Sequence, residues 1–564
     1  MTTSSASIVS SVDRELSVVP RPASSASFSR TQICYLLLVT LIGAVLRLAY
    51  QYDRPLTFDE VGTLLYLRRG VAYLLSHFDV WLTMNYFIVL EKGIAAALGE
   101  GTYSLGLISL LSGIGAIPLT ALVALDFASE ETALLSALFV ALNPSLVRFS
   151  AIARAYALLM VLSLATLLCL LRWLRDRTAT TAALVSGLGL LMTLAHPNGV
   201  YTLAFLGFLL AVESWRRGRQ PAWLRELRPL ALGLGVTALV LWTAYARLYP
   251  QMADVAQRYH YRDTPPTSIA YVPILAFAYF GRRWSWVSVA CLFAGLHSAV
   301  SREKGLRLLL PGIVLPVLLM SLQGISEYPW AYARFMIASV PLLLILTAAG
   351  VRHLACLATG PRRSIIATAL AAVVAFSWGP EMVESFALKT AQPWHKAAHA
   401  LVDLRREDDP ILTGSWLDWW HLQPYLAGDP HLSNAERDPR PAVPVGARRG
   451  LYFITSDIPI RSEYSVATLG QIQILRYPSG SPDAALDLLR EDLVKAIAVR
   501  AVGPEWTSAY GTLVELNRWL GMLEGQDDYH ELWARSAALT PERRYMPRRM
   551  RLETEGALRP PWEN

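Results

Sequence analysis

The sequence predicts an α-helical polytopic membrane protein of about 11 transmembrane helices, followed by a C-terminal extracytoplasmic domain that is first α/β and then helical. Three observations predict this fold class. Hydrophobic residues make up 54% of the 564 residues and charged residues only 17%, which is more apolar than a soluble protein. Lysines and arginines cluster between long apolar runs, as charges that orient membrane helices do. The apolar runs stop near residue 380, where the composition becomes that of a soluble domain.

The net charge of +7 does not indicate a nucleic-acid-binding protein, because the basic residues lie in the loops between apolar runs. The four cysteines, Cys34, Cys169, Cys291 and Cys356, are scattered along the chain. Neither a metal site nor a disulfide is therefore predicted from them. No cleavable signal peptide is apparent, and the serine-rich residues 1–30 are predicted to be a disordered cytoplasmic leader.

The first span is predicted at 32–50, which provides about the 20 residues needed to cross the hydrocarbon core. Arginines precede this span, so the N-terminus is predicted to be cytoplasmic and the far end of the span to lie outside. The remaining spans are predicted at 104–125, 132–149, 155–174, 180–196, 199–213, 229–247, 284–300, 306–322, 335–350 and 364–378. With these spans, most of the arginine-rich loops fall on the inside.

The apolar run 81–98 is not predicted to span, because Glu91 and Lys92 lie in its middle and charges are costly in hydrocarbon. It is predicted to be an in-plane helix on the outer surface, within an outer loop at 51–103. A spanning helix here would also reverse every later loop and place the arginine-rich ones outside. The short run 268–281 is predicted to be re-entrant or interfacial.

The domains are therefore predicted as a leader at 1–30, a transmembrane catalytic module at 31–380, an α/β domain at 381–480 and a helical region at 481–564. In the α/β domain, a helix at 392–405 precedes short strands at 409–413, 451–455 and 471–477. Residues 525–541 have the pattern of one tetratricopeptide-like helix, and a single match of this kind is not specific.

Two adjacent carboxylates, Asp59 and Glu60, lie in the segment Leu56-Thr57-Phe58-Asp59-Glu60, where the chain leaves the first span. An ordinary solvated pair is the alternative interpretation. At the outer surface, however, a carboxylate can serve as the general base that takes a proton from an acceptor hydroxyl. Adjacent residues of an extended segment point to opposite sides, so one is predicted to be the base and the other to hold it in place.

Basic and aromatic residues recur at the outer ends of the spans. Arg154 and Tyr156 lie at one outer junction, with Arg148 nearby. One of the two arginines is predicted to reach lipid headgroups, and the other to bind a phosphate, because a guanidinium holds two oxygens at once. Arg334 opens a late span and is a second phosphate candidate.

Other candidates lie in the outer loops. His196, in the sequence HPNG, lies at a break between two spans, and a structural cap is the alternative interpretation. Arg258 and Arg262 lie in the long loop 248–267 and are further phosphate-binding candidates, whereas Trp330 is assigned to the aromatic belt. No glycine-rich phosphate loop, zinc motif or Ser-His-Asp arrangement stands out.

The order of these features resembles a known family. An outer Asp-Glu pair and an in-plane helix precede Asn-Pro, Ser-x-x-Ala-Arg-x-Tyr, His-Pro-x-Gly and a Tyr-x-Arg-Phe that opens a late span. From about residue 30 to residue 380, the chain resembles the GT-C superfamily of membrane glycosyltransferases, in particular the bacterial branch related to protein O-mannosyltransferases and the lipid A aminoarabinose transferase. The tail from Pro393 to Gly428 resembles the extracytoplasmic domain that often follows this module. Many relatives have His-Pro-Pro at the start of the in-plane helix, where this chain reads Thr83-Met84-Asn85-Tyr86.

The resemblance implies an inverting hexosyl- or pentosyltransferase that takes a sugar from a polyprenyl-phosphate-linked donor and gives it to an extracytoplasmic glycan, lipid or protein of the cell envelope. It implies that Asp59 is the base and Glu60 its support. The substrate-binding residues that it implies are Arg154 and Arg334 at the donor phosphate, with Tyr156 and His196. Some members of the superfamily use a divalent metal and others do not. No second outer carboxylate cluster demands one, so no cofactor is predicted and a divalent cation stays an alternative.

Two other classes of protein remain open. A lipid or sugar transporter or flippase would also have many spans and charged outer groups. It would not explain a large soluble domain on one side, and the inverted repeats common among transporters are not found in the sequence. A non-catalytic assembly protein whose tail is the working part is the third class. The sequence favours the transferase, placed in the cell membrane and without a nucleic-acid partner.

Overall fold

The structure is a computed structural model. It describes residues 28–76, 84–217, 221–246, 279–280, 284–322, 334–389, 391–405, 409–414, 416–426, 432–434, 450–456, 460, 462–478, 485, 488–493 and 495. The chain forms two compact units: Met1–Tyr52 with Tyr66–Phe386, and Asp53–Leu65 with Ala387–Asn564. We refer to them as the membrane unit and the C-terminal unit. The segment 53–65, which the sequence analysis placed in the transmembrane module, belongs by its contacts to the C-terminal unit.

Among the described residues up to 388, all regular structure is helical. Its α-helices are α1 (Arg30–Gln51), α2 (Phe58–Leu67), α3 (Val71–Ser76), α4 (Asn85–Leu98), α5 (Thr102–Leu105), α6 (Leu107–Phe127), α7 (Glu130–Leu142), α8 (Pro144–Ala151), α9 (Tyr156–Asp176), α10 (Ala179–Ala195), α11 (Gly199–Arg217), α12 (Pro221–Tyr245), α13 (Ser285–Ser301), α14 (Leu310–Leu322), α15 (Val340–Ala355), α16 (Arg362–Ser377) and α17 (Gly379–Leu388). Short 3-10 helices at Lys304–Leu309 and Arg334–Ser339 lead into α14 and α15.

Six helices in the described residues are long and apolar enough to cross a membrane, and the bent pair α7 and α8 makes a seventh if it is one span. The six are Arg30–Gln51, Leu107–Phe127, Tyr156–Asp176, Arg225–Thr243, Met336–Ala355 and Arg362–Ala387, and shorter apolar helices lie at Ala179–Ala195, Ser285–Ser301 and Gly305–Leu319. Each predicted span overlaps helical segments, some of them in two pieces, and the apolar helices make this a multi-pass membrane protein. The total number of spans and the side on which each terminus lies stay predictions.

A proline break divides one predicted span into α7 and α8, which are bent by 58°. Pro144 has no N–H to donate to the Val140 carbonyl, so carbonyls at the end of α7 lose their helical partners. Arg47 of α1 supplies the missing donors, from Nη2 to the Val140 carbonyl at 3.0 Å and from Nη1 to the Ala141 carbonyl at 3.1 Å. Its Nε donates to Ser150 Oγ at 3.1 Å. Arg47 is fully buried and therefore joins α1 to both sides of the break.

Residues 85–98 of the in-plane helix predicted at 81–98 form α4, which has 14 residues. Residues 81–83 lie outside the described residues. Glu91 is fully buried, and Lys92 Nζ donates to the Leu67 carbonyl at 2.7 Å. Both charged side chains are therefore placed within protein, and the in-plane position of α4 stays a prediction.

The C-terminal unit contains a mixed sheet. Its elements are α18 (Trp394–Leu404), β1 (Ile411–Thr413), α19 (Trp416–Leu422), β2 (Leu432–Asn434), β3 (Gly450–Thr455), β4 (Ser465–Leu469) and β5 (Ile472–Pro478). Among the described residues, the strand order is β2-β1-β3-β5-β4. Strands β2, β1 and β3 are parallel, whereas β5 and β4 are antiparallel. The predicted helix is α18, and the three predicted strands correspond to β1, β3 and β5.

The core of this unit lies between α18 and the sheet. Trp394 and Leu401 of α18 are buried in one cluster with Ile411, Tyr452 and Ile474 of the strands. All three residues of β1 are buried, as the prediction of a short buried strand requires. Most of the predicted helical region, including the tetratricopeptide-like stretch, lies outside the described residues.

Candidate active site

Asp59 lies in the first turn of α2, so the prediction of an extended segment was wrong. Thr57 precedes the helix, and its backbone N–H and its hydroxyl both donate to Glu60 Oε2, at 2.8 and 2.9 Å. The bond from the Thr57 N–H to Glu60 is one half of the capping box that the pattern Thr-x-x-Glu favours at a helix start. Adjacent residues of a helix point about 100° apart, so Asp59 and Glu60 still face different surroundings.

Glu60 is fully buried and forms a two-pronged ion pair with Arg54. Arg54 Nη1 lies 2.5 Å from Glu60 Oε2, and Arg54 Nη2 lies 2.6 Å from Glu60 Oε1. Buried charges are tolerated when the geometry is this complementary and further hydrogen bonds complete the shell. With Thr57 and Arg54 both bound to it, Glu60 is a structural carboxylate of this segment.

Asp59 differs from its neighbour in burial. It is half-buried, and its backbone carbonyl accepts a hydrogen bond from Thr63 Oγ1 at 3.3 Å, one turn further along α2. Of the two predicted carboxylates, Asp59 is thus the more exposed residue. Both belong to the C-terminal unit.

In the membrane unit, four other predicted site residues lie together: Arg154, Tyr156, His196 and Arg334. The Tyr156 ring is almost fully buried, with its centroid 5.4 Å from that of His196. The guanidinium carbon of Arg334 lies 5.9 Å from the same tyrosine ring, within the range of a cation–π contact. Both arginines are partly exposed. The cluster therefore combines a buried tyrosine ring with two cationic groups.

Breaks between helices bring these side chains together. Arg154 lies in the turn between α8 and α9, and its carbonyl accepts a hydrogen bond from Ser109 Oγ at 3.0 Å. His196 follows the last residue of α10, and Pro197 keeps the chain from continuing that helix. Arg334 opens the 3-10 helix that leads into α15. The sequence predicted all three positions as span ends.

His196 is a neutral imidazole. Burial, together with the positive charges of Arg154 and Arg334, lowers the pKa of His196 to about 3. Its Nδ1 accepts a hydrogen bond from the Asn198 N–H at 3.1 Å, so the single ring proton is on Nε2. His196 therefore offers an N–H donor to the cluster without adding a third positive charge.

The structure separates the two arginines that the sequence left as alternatives. Arg148, on α8, is exposed, whereas Arg154 is half-buried and acts on His196. Arg154 is thus the member of the pair that belongs to the cluster. That Arg148 reaches lipid headgroups stays a prediction.

Sequence reasoning missed two asparagines. Asn143 caps α8 by accepting from the Leu146 N–H at 3.1 Å, and its Nδ2 donates to the Tyr279 carbonyl at 2.7 Å. Asn198 keeps its amide nitrogen buried, and that atom has no acceptor in the part of the chain that the structure describes. The Asn-Pro pair before α8 is a recognisable helix start, but the second partner of Asn143 lies too far along the chain to be inferred.

Some predictions fall elsewhere. Arg258, Arg262 and Trp330 lie outside the described residues. Among the residues that are described, no group of three or more His, Cys, Asp and Glu side chains could hold a metal ion. The alternative of a divalent cation stays a prediction.

Comparison with protein-family models and with curated proteins gave no match. The chain is similar to the solved structure of ArnT from Cupriavidus metallidurans bound to undecaprenyl phosphate, with a TM-score of 0.50 and 14% identity over 78% of this chain and 98% of that one. It also matches ArnT in the apo state, with a TM-score of 0.48 and 13% identity over 79% and 98%. For the archaeal oligosaccharyltransferase AglB from Archaeoglobus fulgidus, in complex with an inhibitory peptide and a dolichol-phosphate, the values are 0.43 and 11% over 88% and 86%. The first similarity shows that this chain shares the fold of that ArnT structure.

Proposed function

We propose that this protein is an integral membrane glycosyltransferase, which moves a hexose or pentose from a polyprenyl-phosphate-linked donor to an extracytoplasmic glycan, lipid or protein by inverting displacement. One observation carries the proposal. Arg154 and Arg334 lie around the neutral His196 in a GT-C-type chain. Two guanidinium groups with a neutral N–H donor are well suited to bind a phosphate. A separate nucleotide-binding loop is then not needed to hold it.

The comparison supports this class of donor. The ArnT structure with the same fold was solved with undecaprenyl phosphate bound. We carry that ligand class over to this chain, with Arg154 and Arg334 as the groups that bind its phosphate. The buried ring of Tyr156 is the apolar part of the cluster, and it holds Arg334 through a cation–π contact.

In the proposed reaction, the acceptor hydroxyl loses its proton to Asp59 as its oxygen attacks the anomeric carbon of the donor sugar. The bond between that carbon and the phosphate oxygen breaks, and the electron pair leaves with the phosphate. The products are a glycoside of inverted configuration, free polyprenyl phosphate and a protonated Asp59. The phosphate is already a good leaving group, so no general acid is required.

The division of work follows from the contacts. Negative charge grows on the phosphate as the bond breaks, and fixed cationic donors at that point stabilise the transition state more than the ground state. Arg154 and Arg334 are assigned this role, with His196 Nε2–H as a neutral donor. Glu60 is bound to Arg54 and Thr57, so Asp59 is assigned the role of the base.

The test is turnover by purified protein in lipid nanodiscs. A panel of polyprenyl-phosphate sugars is supplied with a crude envelope extract as the acceptor, and free polyprenyl phosphate is measured by mass spectrometry. Wild type is compared with Asp59→Asn and with Asp403→Asn, an exposed aspartate of α18 that serves as the matched control. A parallel reaction with a chelator tests the alternative of a divalent cation.

The expected result is release by wild type and Asp403→Asn, with a loss of about 10²- to 10⁴-fold in Asp59→Asn, as for the removal of a general base. Equal release from wild type and Asp59→Asn would remove Asp59 from the base role. Lipid that binds through Arg154 and Arg334 but is moved across the bilayer intact would instead identify a transporter.

A further inference from the structure

The segment 53–65, which contains Asp59, begins at Asp53, and two side chains of α18 bind the Asp53 carboxylate. Asp53 Oδ1 lies 3.0 Å from His395 Nε2, and Asp53 Oδ2 lies 2.5 Å from Lys396 Nζ. Hydrogen bonds from Lys396 and His395 keep the pKa of the Asp53 carboxyl below its usual range. The backbone of Asp53 has a φ of 50°, a left-handed conformation that is uncommon for residues other than glycine. The chain therefore turns sharply at a point that two side chains of α18 fix.

A second contact holds the chain three residues before Asp59. The Leu56 N–H donates to Tyr425 Oη at 2.9 Å, and the Leu56 backbone also forms a hydrogen bond with His421. Burial raises the pKa of Tyr425 to about 12, so Tyr425 remains a phenol at any physiological pH. The backbone of Leu56 is therefore bound by two side chains, one from α19 and one from the turn after it.

Helix α19 is itself anchored to the core of its unit. Asp418 is fully buried and accepts hydrogen bonds from the Ser456 N–H at 3.3 Å and from the Ser456 hydroxyl at 2.6 Å. The His421 ring stacks on the buried Trp394 of α18, with centroids 5.7 Å apart and ring planes within 6°. The groups that hold Leu56 are thus mounted on a fixed element, as a precise site requires.

The third contact lies beyond Asp59. A Cβ atom built on Gly62 would lie 3.7 Å from Trp420 Cζ2, so this turn of α2 runs against the indole ring of α19. Asp59 and Gly62 are three residues apart and occupy neighbouring turns of one helix face. Side chains of the C-terminal unit therefore bind the Asp59 segment at Asp53 and at Leu56, before α2 begins. Within α2, the turn at Gly62 lies close to Trp420.

We propose that Tyr425, together with His421, is a positioning residue for Asp59, and that the C-terminal unit sets the place and angle of the base through the Leu56 peptide. The catalytic part of this inference rests on the proposed function. Displacement of a reacting group by about 1 Å can cost about 10²-fold in rate. Loss of the Tyr425 contact should therefore lower kcat while the donor-binding arginines, and with them KM for the donor, are unaffected.

The test compares Tyr425→Phe with Tyr452→Phe. The control also removes one hydrogen bond between a tyrosine hydroxyl and the backbone of the same unit, because Tyr452 Oη donates to the Leu404 carbonyl at 2.7 Å, away from segment 53–65. Both proteins are studied in nanodiscs by hydrogen–deuterium exchange and by the turnover assay. Lys396→Met, which removes one of the two side chains that bind Asp53, is the second variant in case Tyr425→Phe does not fold.

We expect exchange at Leu56 and through residues 54–65 to be about fivefold faster in Tyr425→Phe, the factor for loss of one ordinary hydrogen bond, and unchanged in Tyr452→Phe. We expect kcat to fall about tenfold, with KM for the donor within about twofold. Equal exchange in this segment for the two variants, or equal kcat, would overturn the proposal. If wild type shows no turnover, the proposed function fails, and exchange alone decides whether Tyr425 holds the segment.

Discussion

Glu60 Oε2 lies 2.8 Å from the backbone nitrogen of Thr57, and the turn that these two residues close contains Asp59. The same carboxylate binds Arg54 through both of its oxygens. Two carboxylates that are adjacent in the sequence therefore have separate tasks. Glu60 stabilises the start of the helix, and Asp59 lies in the turn that Glu60 stabilises.

This division predicts opposite outcomes for two conservative substitutions. Glu60→Gln leaves the buried Arg54 charge without its counter-ion, and loss of one partner of a buried pair costs about 3–5 kcal/mol. Asp59→Asn leaves this buried ion pair intact, so it should lower stability much less than Glu60→Gln does. Thermal unfolding of both variants in nanodiscs is the measurement. Equal melting temperatures for the two would contradict the structural role of Glu60.

The arginine cluster predicts that lysine is not an adequate replacement. Arg154→Lys and Arg334→Lys keep the positive charge but lose the two-pronged geometry that matches a phosphate. We expect each to weaken binding of free polyprenyl phosphate by about tenfold, roughly one charge-assisted hydrogen bond. Arg148→Lys, at an exposed position of α8, is the matched control. A loss in Arg148→Lys as large as that in Arg154→Lys would show that general surface charge, rather than the cluster, binds the lipid.

The low pKa of His196 predicts a loss of stability in mild acid. The unfolded histidine takes up a proton below about pH 6.5, whereas the folded one, with a pKa of about 3, does not. Stability therefore falls as the pH falls from about 6.5, by up to about 1.4 kcal/mol per pH unit for this one group. Melting temperatures between about pH 6.5 and pH 4.5 should drop less steeply for His196→Gln than for wild type. The exposed His399 provides the control, and a His399→Gln protein that lost the same slope would refute the assignment.

Arg47 predicts a structural failure far from the carboxylates. Arg47→Met leaves the Val140 and Ala141 carbonyls without the donors that replace those lost at Pro144. An unpaired backbone group in a membrane interior costs several kcal/mol, so we expect a marked fall in melting temperature. Size-exclusion chromatography and thermal unfolding report it. Arg148→Met removes an exposed arginine of α8 and should behave like wild type; an equal fall in both proteins would show that the effect is not specific to the break.

Sequence periodicity was sufficient for the parts of the fold that lipid and local geometry determine. Each predicted span has a helix, because a run of apolar residues in a bilayer leaves the backbone little choice but to bond within its own segment. The predicted β1, β3 and β5 were found for a related reason, since each short buried strand stands out against its polar flanks. The bend between α7 and α8 was not predicted. Its stability depends on Arg47, a residue of another helix.

The site was predictable in composition and not in geometry. Charge placement identified Arg154 and Arg334, because arginines at outer span ends go against the topology bias. The sequence could not show that Glu60 pairs with Arg54. The pattern Thr57-x-x-Glu60 is compatible with a helix start as well as with the extended segment that was predicted. Nor could it show Tyr425 at the Leu56 peptide, a contact between residues 369 positions apart. Contacts of this range follow from packing of the whole unit.

The position of Arg47 also constrains how the protein is made. The acceptors of its guanidinium in α7 lie 93 and 94 residues further along the chain, so α1 enters the bilayer before they have been translated. Until then the charge in its last turns must be borne by headgroups or water, as an unpaired arginine in a membrane segment must. Helix α1 therefore does not satisfy the Arg47 guanidinium by itself, and the packing that does so forms only when α7 lies beside it. Stable placement of α1 accordingly depends on assembly with a helix that is made later.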